Sequence, residues 1–351
     1  MIARMKHIMR YLLVALIALP FASCEHKDLC YHHPHTIKLK VIYDWQYAPD
    51  ADPEGMYIFF YPIEGGEPYQ YRVTDKGVES GRSQLKGGEI EVPPGVYNVM
   101  TYNLDCDATQ FRGLNDFSSH EAYTRDGNIF EPVFGYGSSE PNDGVAITPD
   151  MVWGNSIMQI TVPEHGTSYI HEVIDSTMDG PLLKIEAEEE VVIATFYPRE
   201  MVCTYTYEIR NVVNINHMQP DFVVTLSGMS ASMNMSTEEL GTECFAIPFT
   251  GMKYNDEGVI RGGFYTFGHH EDNAEPHKVV VYAWLKDGRM YKLGVDEEEF
   301  DVTDQIHNAP DKRRVHFIID GMTIPVPIQN GDGFYPEVDD WGDGGTTTLP
   351  V

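Results

Sequence analysis

Apolar residues in this chain come in short runs of strand length rather than at helical spacing. Met56 to Tyr61 (MYIFFY), Val96 to Tyr102 (VYNVMTY), Phe222 to Leu226 (FVVTL) and Val279 to Trp284 (VVVYAW) are rich in β-branched and aromatic side chains. Gly, Pro, Asp and Asn cluster between such runs at the intervals of a sandwich. Ile37 to Tyr43 alternates less cleanly and opens the series. Asp287-Gly288, between VVVYAWLK and RMYKLGV, is the strongest hairpin signal. In VPPGVYNVMTYN, Pro93-Pro94-Gly95 predicts a tight turn with a positive-φ position at the glycine. Val96, Asn98, Met100 and Tyr102 then share one face, with Tyr97, Val99 and Thr101 on the other. Bulk on both faces predicts a central strand buried on both sides. Helical signal is scarce: Thr303 to Asn308 predicts one short turn, with Thr303 as N-cap and a stop before Pro310.

The runs fall into two sets, about Ile37 to Val162 and about Val191 to Ile324. Between them, Pro163 to Glu190 holds Gly, Pro and the acids Glu186, Glu188, Glu189 and Glu190. Leu182 to Ile185 reads as a closing strand of the first set or as part of the link. The predicted boundary lies near Glu188, giving sandwiches over 37–188 and 189–325. Each set holds about seven strand candidates, so the fold class expected is all-β, two tandem antiparallel immunoglobulin-like sandwiches. No repeat of fixed period points to a solenoid or propeller. Residues 326–351 form an acidic Gly/Asp-rich tail with too few core-forming residues to fold independently.

The start of the chain carries a different pattern. Arg4, Lys6 and Arg10 precede an apolar run, Tyr11 to Leu19, then Pro20, Phe21, Ala22, Ser23 and Cys24. Charged region, short apolar region and small residues at a cut describe a secretory signal, residues 1–23. The run is too short to span a bilayer comfortably. A cysteine directly after Ala-Ser makes it a lipoprotein signal, although Phe21 stands where the commonest motif has Leu. Cys24 is therefore the expected lipidation site and mature N-terminus, followed by a polar tether, 24–36. Each buried acyl methylene contributes about 0.8 kcal/mol, so several chains hold a protein on a membrane. Glu25 and Asp28 agree with export to the outer leaflet of an outer membrane, since acids after the lipid cysteine favour it in some anaerobic diderm bacteria.

Formal net charge is −30, from 54 acids against 24 Lys and Arg, and cleavage at Cys24 would remove Arg4, Lys6 and Arg10 as well. Such a chain repels nucleic acid and anionic lipid, so neither is an expected partner beyond the lipid anchor itself. Cys30, Cys106, Cys203 and Cys244 are widely spaced with no CxxC pair. Two disulfides and buried free thiols both stay open.

Candidate chemistry is sparse. Cys30-Tyr31-His32-His33-Pro34-His35 offers the ligand types zinc or copper prefers, with Cys30, His33 and His35 as candidates. Pro34 breaks any regular spacing, and a structured link to the first strand is the preferred reading. His269, His270, Glu271 and Asp272, with His277 nearby, lack the HExxH pattern and read as an exposed hairpin loop. Acidic pairs such as Asp339-Asp340 and Glu297 to Glu299 lack the separation across a bond that glycosidic carboxylates need. There is no GxSxG, Walker A or GxGxxG motif. No catalytic constellation and no cofactor are expected. In the tail, Phe334, Tyr335 and Trp341 are candidates for docking a partner, or for folding back over the second domain.

Several segments carry a family resemblance: CEHKDLCYHHPH with YDWQYAPDADPEGMYIFFYP, VPPGVYNVMTYN, YTYEIRNVVNIN with VTLSGMSASM, and VTDQIHNAPDKRRVHFIIDG. Together these resemble the fimbrillin-associated anchor and accessory lipoproteins of diderm anaerobes. The resemblance implies two transthyretin-like sandwiches, a non-enzymatic role in anchoring or building surface fimbriae, and fimbrial or other surface proteins as partners. The alternative is a glycan-binding outer-membrane lipoprotein. Its mark would be exposed aromatics, and the four tryptophans Trp45, Trp153, Trp284 and Trp341 include no pair in one loop. A hydrolase ranks third.

Overall fold

The computed structural model describes residues 35–328, apart from 80–81, 138, 165, 176–179, 189–190, 271, 274 and 296–299. Four main sheets form two pairs, each around its own apolar cluster. In the first pair, a six-stranded sheet runs in spatial order Tyr169–Asp175, Gly180–Glu188, Val191–Phe196, Ile37–Tyr43, Arg82–Val92, Asp75–Glu79. It faces a five-stranded sheet ordered Arg199–Glu200, Trp153–Val162, Gly95–Asn103, Met56–Pro62, Tyr69–Val73. Leu39, Val41, Ile58, Phe60, Val99, Ile157, Ile185, Val192 and Phe196 fill the space between.

In the second pair, Met252–Tyr254, Val259–Thr266, Cys203–Val213 and Arg314–Thr323 make one sheet in that order. Cys244–Phe249, Met218–Ser230, Lys278–Leu285 and Met290–Leu293 make the other, with Phe300–Asp301 alongside Lys278–Leu285. Tyr205, Tyr207, Phe222, Val224, Leu226, Val281, Phe317 and Ile319 lie between them. Burying each such side chain is worth about 1.5–3 kcal/mol, which drives the pairing of these faces.

Local pattern explains most elements. In Ile37–Tyr43 the apolar residues Ile37, Leu39, Val41 and Tyr43 are buried while Lys38 and Lys40 are exposed. Gly95–Asn103 has the two-sided burial its bulk predicts: Tyr97 and Val99 enter the first core, and Met100 and Tyr102 enter a third cluster behind the sheet. The Asp287-Gly288 hairpin forms as expected, with Trp284 opposite Met290 and Gly288 at φ 84°. Gly95 serves differently from expectation. It is not a positive-φ residue; a Cβ there would sit 3.2 Å from the Tyr97 hydroxyl, which donates to the Pro93 carbonyl at 2.8 Å. The helix Thr303–His307 forms, but Val302 holds the N-cap position and makes no side-chain cap bond. The Thr303 hydroxyl instead accepts the His277 amide at 2.8 Å.

The boundary expected near Glu188 moves. Val191–Phe196 pairs in parallel with Ile37–Tyr43, Leu39 facing Val192 and Tyr43 facing Phe196, so it belongs to the first sheet pair. Arg199–Glu200 then pairs with Trp153 and Gly154. The first sheet pair therefore extends to Glu200, and the stretch read as a link carries two of its strands.

The two sheet pairs are joined rather than strung. Thr109–Arg112 and Glu121–Thr124, in the excursion between Asn103 and Trp153, form a hairpin that adds Ser232–Asn234 as a third strand. Phe59, Tyr61, Met100, Tyr102, Met201, Met233, Met235 and Phe267 pack together there. The Glu238 carboxylate binds both Arg199 and Arg313, one from each side of the joint. Further along the excursion, Ile129, Phe130, Val133 and Val145 cover Val223, Tyr282 and Trp284, on the outward face of the second pair.

Candidate functional site

Most residues singled out from the sequence lie outside the described residues: Cys24, Cys30, His33, Phe334, Tyr335, Trp341, and the acids at 297–299 and 339–340. His35 is described, is exposed, and joins no group of metal-ligating side chains among the described residues. Cys106, Cys203 and Cys244 are free thiols. Burial pushes Cys106 up to about 12 and Cys203 up to about 11, so neither is an activated nucleophile. Among the described residues, no helix is long and apolar enough to cross a membrane.

Sheet edges are the first surface on which a protein partner can build. The edge strand Arg314–Thr323 is blocked in its middle. Gln305, from the helix Thr303–His307, accepts the Ile318 amide and donates to the Ile318 carbonyl, both at 2.8 Å. Cys244–Phe249 is bridged from outside by Val145: the Ala146 amide donates to the Ala246 carbonyl, and the Ala246 amide donates to the Gly144 carbonyl. Tyr169–Asp175 differs. Among the described residues its seven-residue strand pairs on one side only, with Gly180–Glu188. Ile170 and Ile174 are 73% and 59% exposed on its outer face, with Glu172 between them. It carries no Lys or Pro, the residues that usually protect an edge. The sequence reading missed this strand because YIHEVID has apolar residues on both faces and sits in a turn-rich stretch.

A cleft of about 990 Å³ opens at the joint, between the excursion and the second sheet pair. Phe249 and Phe264, stacked at 3.8 Å, lie along one wall, beside Tyr265. Opposite, the Arg125 guanidinium pairs with Glu131 and lies 4.2 Å from the ring of Tyr136, itself 80% exposed. Arg125 and Glu131 neutralise each other here; Tyr136 and Tyr265 are exposed to the cleft, whereas Phe249 and Phe264 are buried in the second core. The described tryptophans offer no such surface: Trp45 is buried with its indole N–H on the Leu85 carbonyl at 2.7 Å, and Trp153 and Trp284 are half-buried.

Within the histidine stretch expected to be an exposed loop, Asp272 is exposed, while His269 and His277 turn inward. His277 is fully buried, and its Nδ1 lies 2.9 Å from the Ser227 carbonyl. Its Nε2 lies 3.1 Å from Nε2 of His307, the last residue of the helix Thr303–His307. Half-buried His269 stacks on His307 at 5.0 Å and places Nδ1 3.3 Å from the Tyr205 hydroxyl. Burial, with its imidazole neighbours, pushes His269 down to about 4, and burial lowers His277. The residues alone gave no signal for His307, which sits thirty positions from His277 in a stretch read only as a helical turn.

Comparison with known proteins places this geometry. A Bacteroides ovatus protein named "Putative fimbrium anchoring subunit Fim4B" is 27% identical over 204 residues, covering 57% of this chain and 49% of that protein. The chain thus spans about half the length of that curated relative. Among solved structures, a "putative adhesin" from Bacteroides ovatus superposes with a TM-score of 0.55 at 18% identity, over 84% of this chain and 95% of that one. That likeness is one of fold. The fimbrial anchor protein Mfa2 from Porphyromonas gingivalis gives 0.43 at 11% identity, over 82% and 90% of the two chains. The model of the family described as a domain of unknown function, DUF5119, matches residues 23–250, well over half of the sequence, and the chain belongs to that family.

Proposed function

We propose that this chain is a non-enzymatic surface lipoprotein that anchors fimbriae or acts as an accessory subunit in their assembly. The observation that carries the reading is the similarity over 204 residues to a protein named as a fimbrium anchoring subunit. The leader ending Ala22-Ser23, directly before Cys24, supports attachment through acyl chains on Cys24, in the outer membrane and facing outward. The sheet pairs are read as transthyretin-like sandwiches in tandem, with the boundary just after Glu200. A joint of this kind suits an anchor, because a load applied at one sandwich reaches the other through packed side chains. The partners are fimbrial or other surface proteins. The open strand Tyr169–Asp175, rather than a pocket, is the expected place of attachment, with the tail aromatics Phe334, Tyr335 and Trp341 as a second contact.

The test compares cells carrying the native chain with cells carrying Ile170→Glu together with Ile174→Glu. Fimbrial subunits should co-purify with the native lipoprotein and be depleted at least tenfold with the variant, at unchanged melting temperature. Equal recovery with both would remove the edge from the account.

The cleft favours one second reading, a glycan-binding lipoprotein, because Tyr136 presents an open ring face beside Arg125. Stoichiometric binding of a polysaccharide to the purified chain, lost in Tyr136→Ala, would select that reading.

A further inference from the structure

Three imidazoles converge at one end of the second sheet pair, each from a different segment. His269 follows the strand Val259–Thr266, His277 immediately precedes Lys278–Leu285, and His307 ends the helix Thr303–His307. Their ligating atoms all lie within 4.8 Å of one another. We propose that His269, His277 and His307 form a binding site for a divalent transition metal ion of the zinc type.

The hydrogen bonds around the rings already have the arrangement such a site needs. A carbonyl only accepts, so the Ser227 contact at 2.9 Å fixes the proton of His277 on Nδ1 and leaves the Nε2 lone pair facing His307. Ligating histidines ordinarily give their second nitrogen to a carbonyl or similar partner, which sets tautomer and ring direction. The Tyr205 hydroxyl can hold Nδ1 of His269 in the same way, leaving Nε2 as its ligating atom. His277 is further pinned through its amide on Thr303, so the strand and the helix that carry two of the three ligands are tied together.

The spacing agrees. Nitrogens about 2.0–2.1 Å from a tetrahedral zinc ion lie about 3.3 Å apart. The two Nε2 atoms of His277 and His307 are 3.1 Å apart, already at that separation. Without metal, one proton on His307 Nε2 can bridge them; with metal, that proton moves to Nδ1 of the same ring and the ion takes both lone pairs. The third ring must move in by about 1.5 Å at most, measured at whichever of its nitrogens lies within 4.8 Å of the other two ligand atoms, to reach tetrahedral spacing. His269 is half-buried and follows Gly268, at φ 117°, so this ring has room to move. Metal ligation requires neutral imidazole. His269 also lines a cleft of about 500 Å³ together with Cys203, Asp272 and Lys312, which gives an ion a way in and leaves a fourth position for water.

The test uses the untagged mature chain, stripped with chelator and titrated with Zn²⁺. His26, His32, His33 and His35 are replaced by Gln in a parallel protein, so that the histidine-rich start cannot supply the site. Both proteins should bind one equivalent. At a hundredfold excess over Kd the melting temperature should rise by about 5 °C or more. His307→Gln and His269→Gln should each weaken binding at least tenfold and abolish the rise. Because either variant can be compromised in folding, Co²⁺ is also added to the native protein. Intense visible bands of a tetrahedral centre are expected. Absence of both a stoichiometric Zn²⁺ complex and those bands in the native chain would overturn the proposal, as would undiminished binding in both folded variants.

Discussion

His120 is the place where the joint is most exposed to perturbation. Its ring is fully buried, with Nδ1 2.6 Å from the Tyr61 hydroxyl and Nε2 3.2 Å from that of Tyr102, and its carbonyl accepts the Met235 amide. His120→Ala removes a ring packed edge-on to Phe59 at 5.2 Å and leaves a cavity worth roughly 2–3 kcal/mol. The Tyr61 hydroxyl keeps the Leu114 carbonyl, but Tyr102 loses the partner of its buried hydroxyl, adding about 1–3 kcal/mol. The expected loss is therefore about 3–6 kcal/mol. Tyr102→Phe should cost about 1 kcal/mol alone, and the double variant should be about 1 kcal/mol more stable than the sum of the two losses predicts. Acid gives an independent check. Burial pushes His120 down from 6.5 to about 4, so as pH falls below 6.5 the unfolded chain takes up the proton first and stability drops, levelling off below 4. Between pH 7.5 and pH 5 this amounts to about 2 kcal/mol. His269 shifts in the same direction, so the difference between native and His120→Ala isolates the effect. Urea unfolding at the two pH values measures it. A loss below 1 kcal/mol for His120→Ala, or equal acid sensitivity of both proteins, would refute the reasoning.

Three further outcomes follow from the same account. Cys24→Ser should release the protein from the membrane fraction and slow leader cleavage; unchanged fractionation and mature mass would exclude lipidation there. Residues 201–328 expressed alone should bind a hydrophobic dye and aggregate, because Met233, Val223 and Trp284 lose the excursion that covers them; a monomeric, dye-silent fragment would show the joint to be dispensable. Gln305→Ala should open the edge of Arg314–Thr323 and speed amide exchange at Ile318 at least tenfold, with little effect on melting temperature; unchanged exchange would mean that Gln305 does not protect it.

Strand existence was legible in the sequence because β-branched and aromatic runs bounded by turn residues have few other uses. MYIFFY, VYNVMTY, FVVTL and VVVYAW all became strands, and the Asp287-Gly288 hairpin formed where the turn chemistry demands it. What was not legible depends on contacts distant in sequence. Val191–Phe196 joins the first sheet by parallel pairing with a strand some 150 residues earlier, and no local pattern says which sheet a strand will enter. Thr303 looked like a helix cap, yet its hydroxyl serves the His277 amide. Gly95 looked like a turn glycine, yet it makes room for Tyr97. His269, His277 and His307 converge only because a strand and a helix tied by that Thr303 contact bring them together. The candidate lipidation site, by contrast, was read from the sequence alone, since its signal is a linear recognition motif.

The central claim is that this chain holds fimbriae at the cell surface. The direct measurement is the ratio of fimbrial protein on cells to that shed into the medium, in a strain lacking this chain and in the same strain supplied with it. The account predicts that fimbriae move largely into the medium, or fail to assemble, when the chain is absent, and return to the cells when it is restored. An unchanged ratio, with fimbriae of normal number and length on the deleted cells, would contradict it.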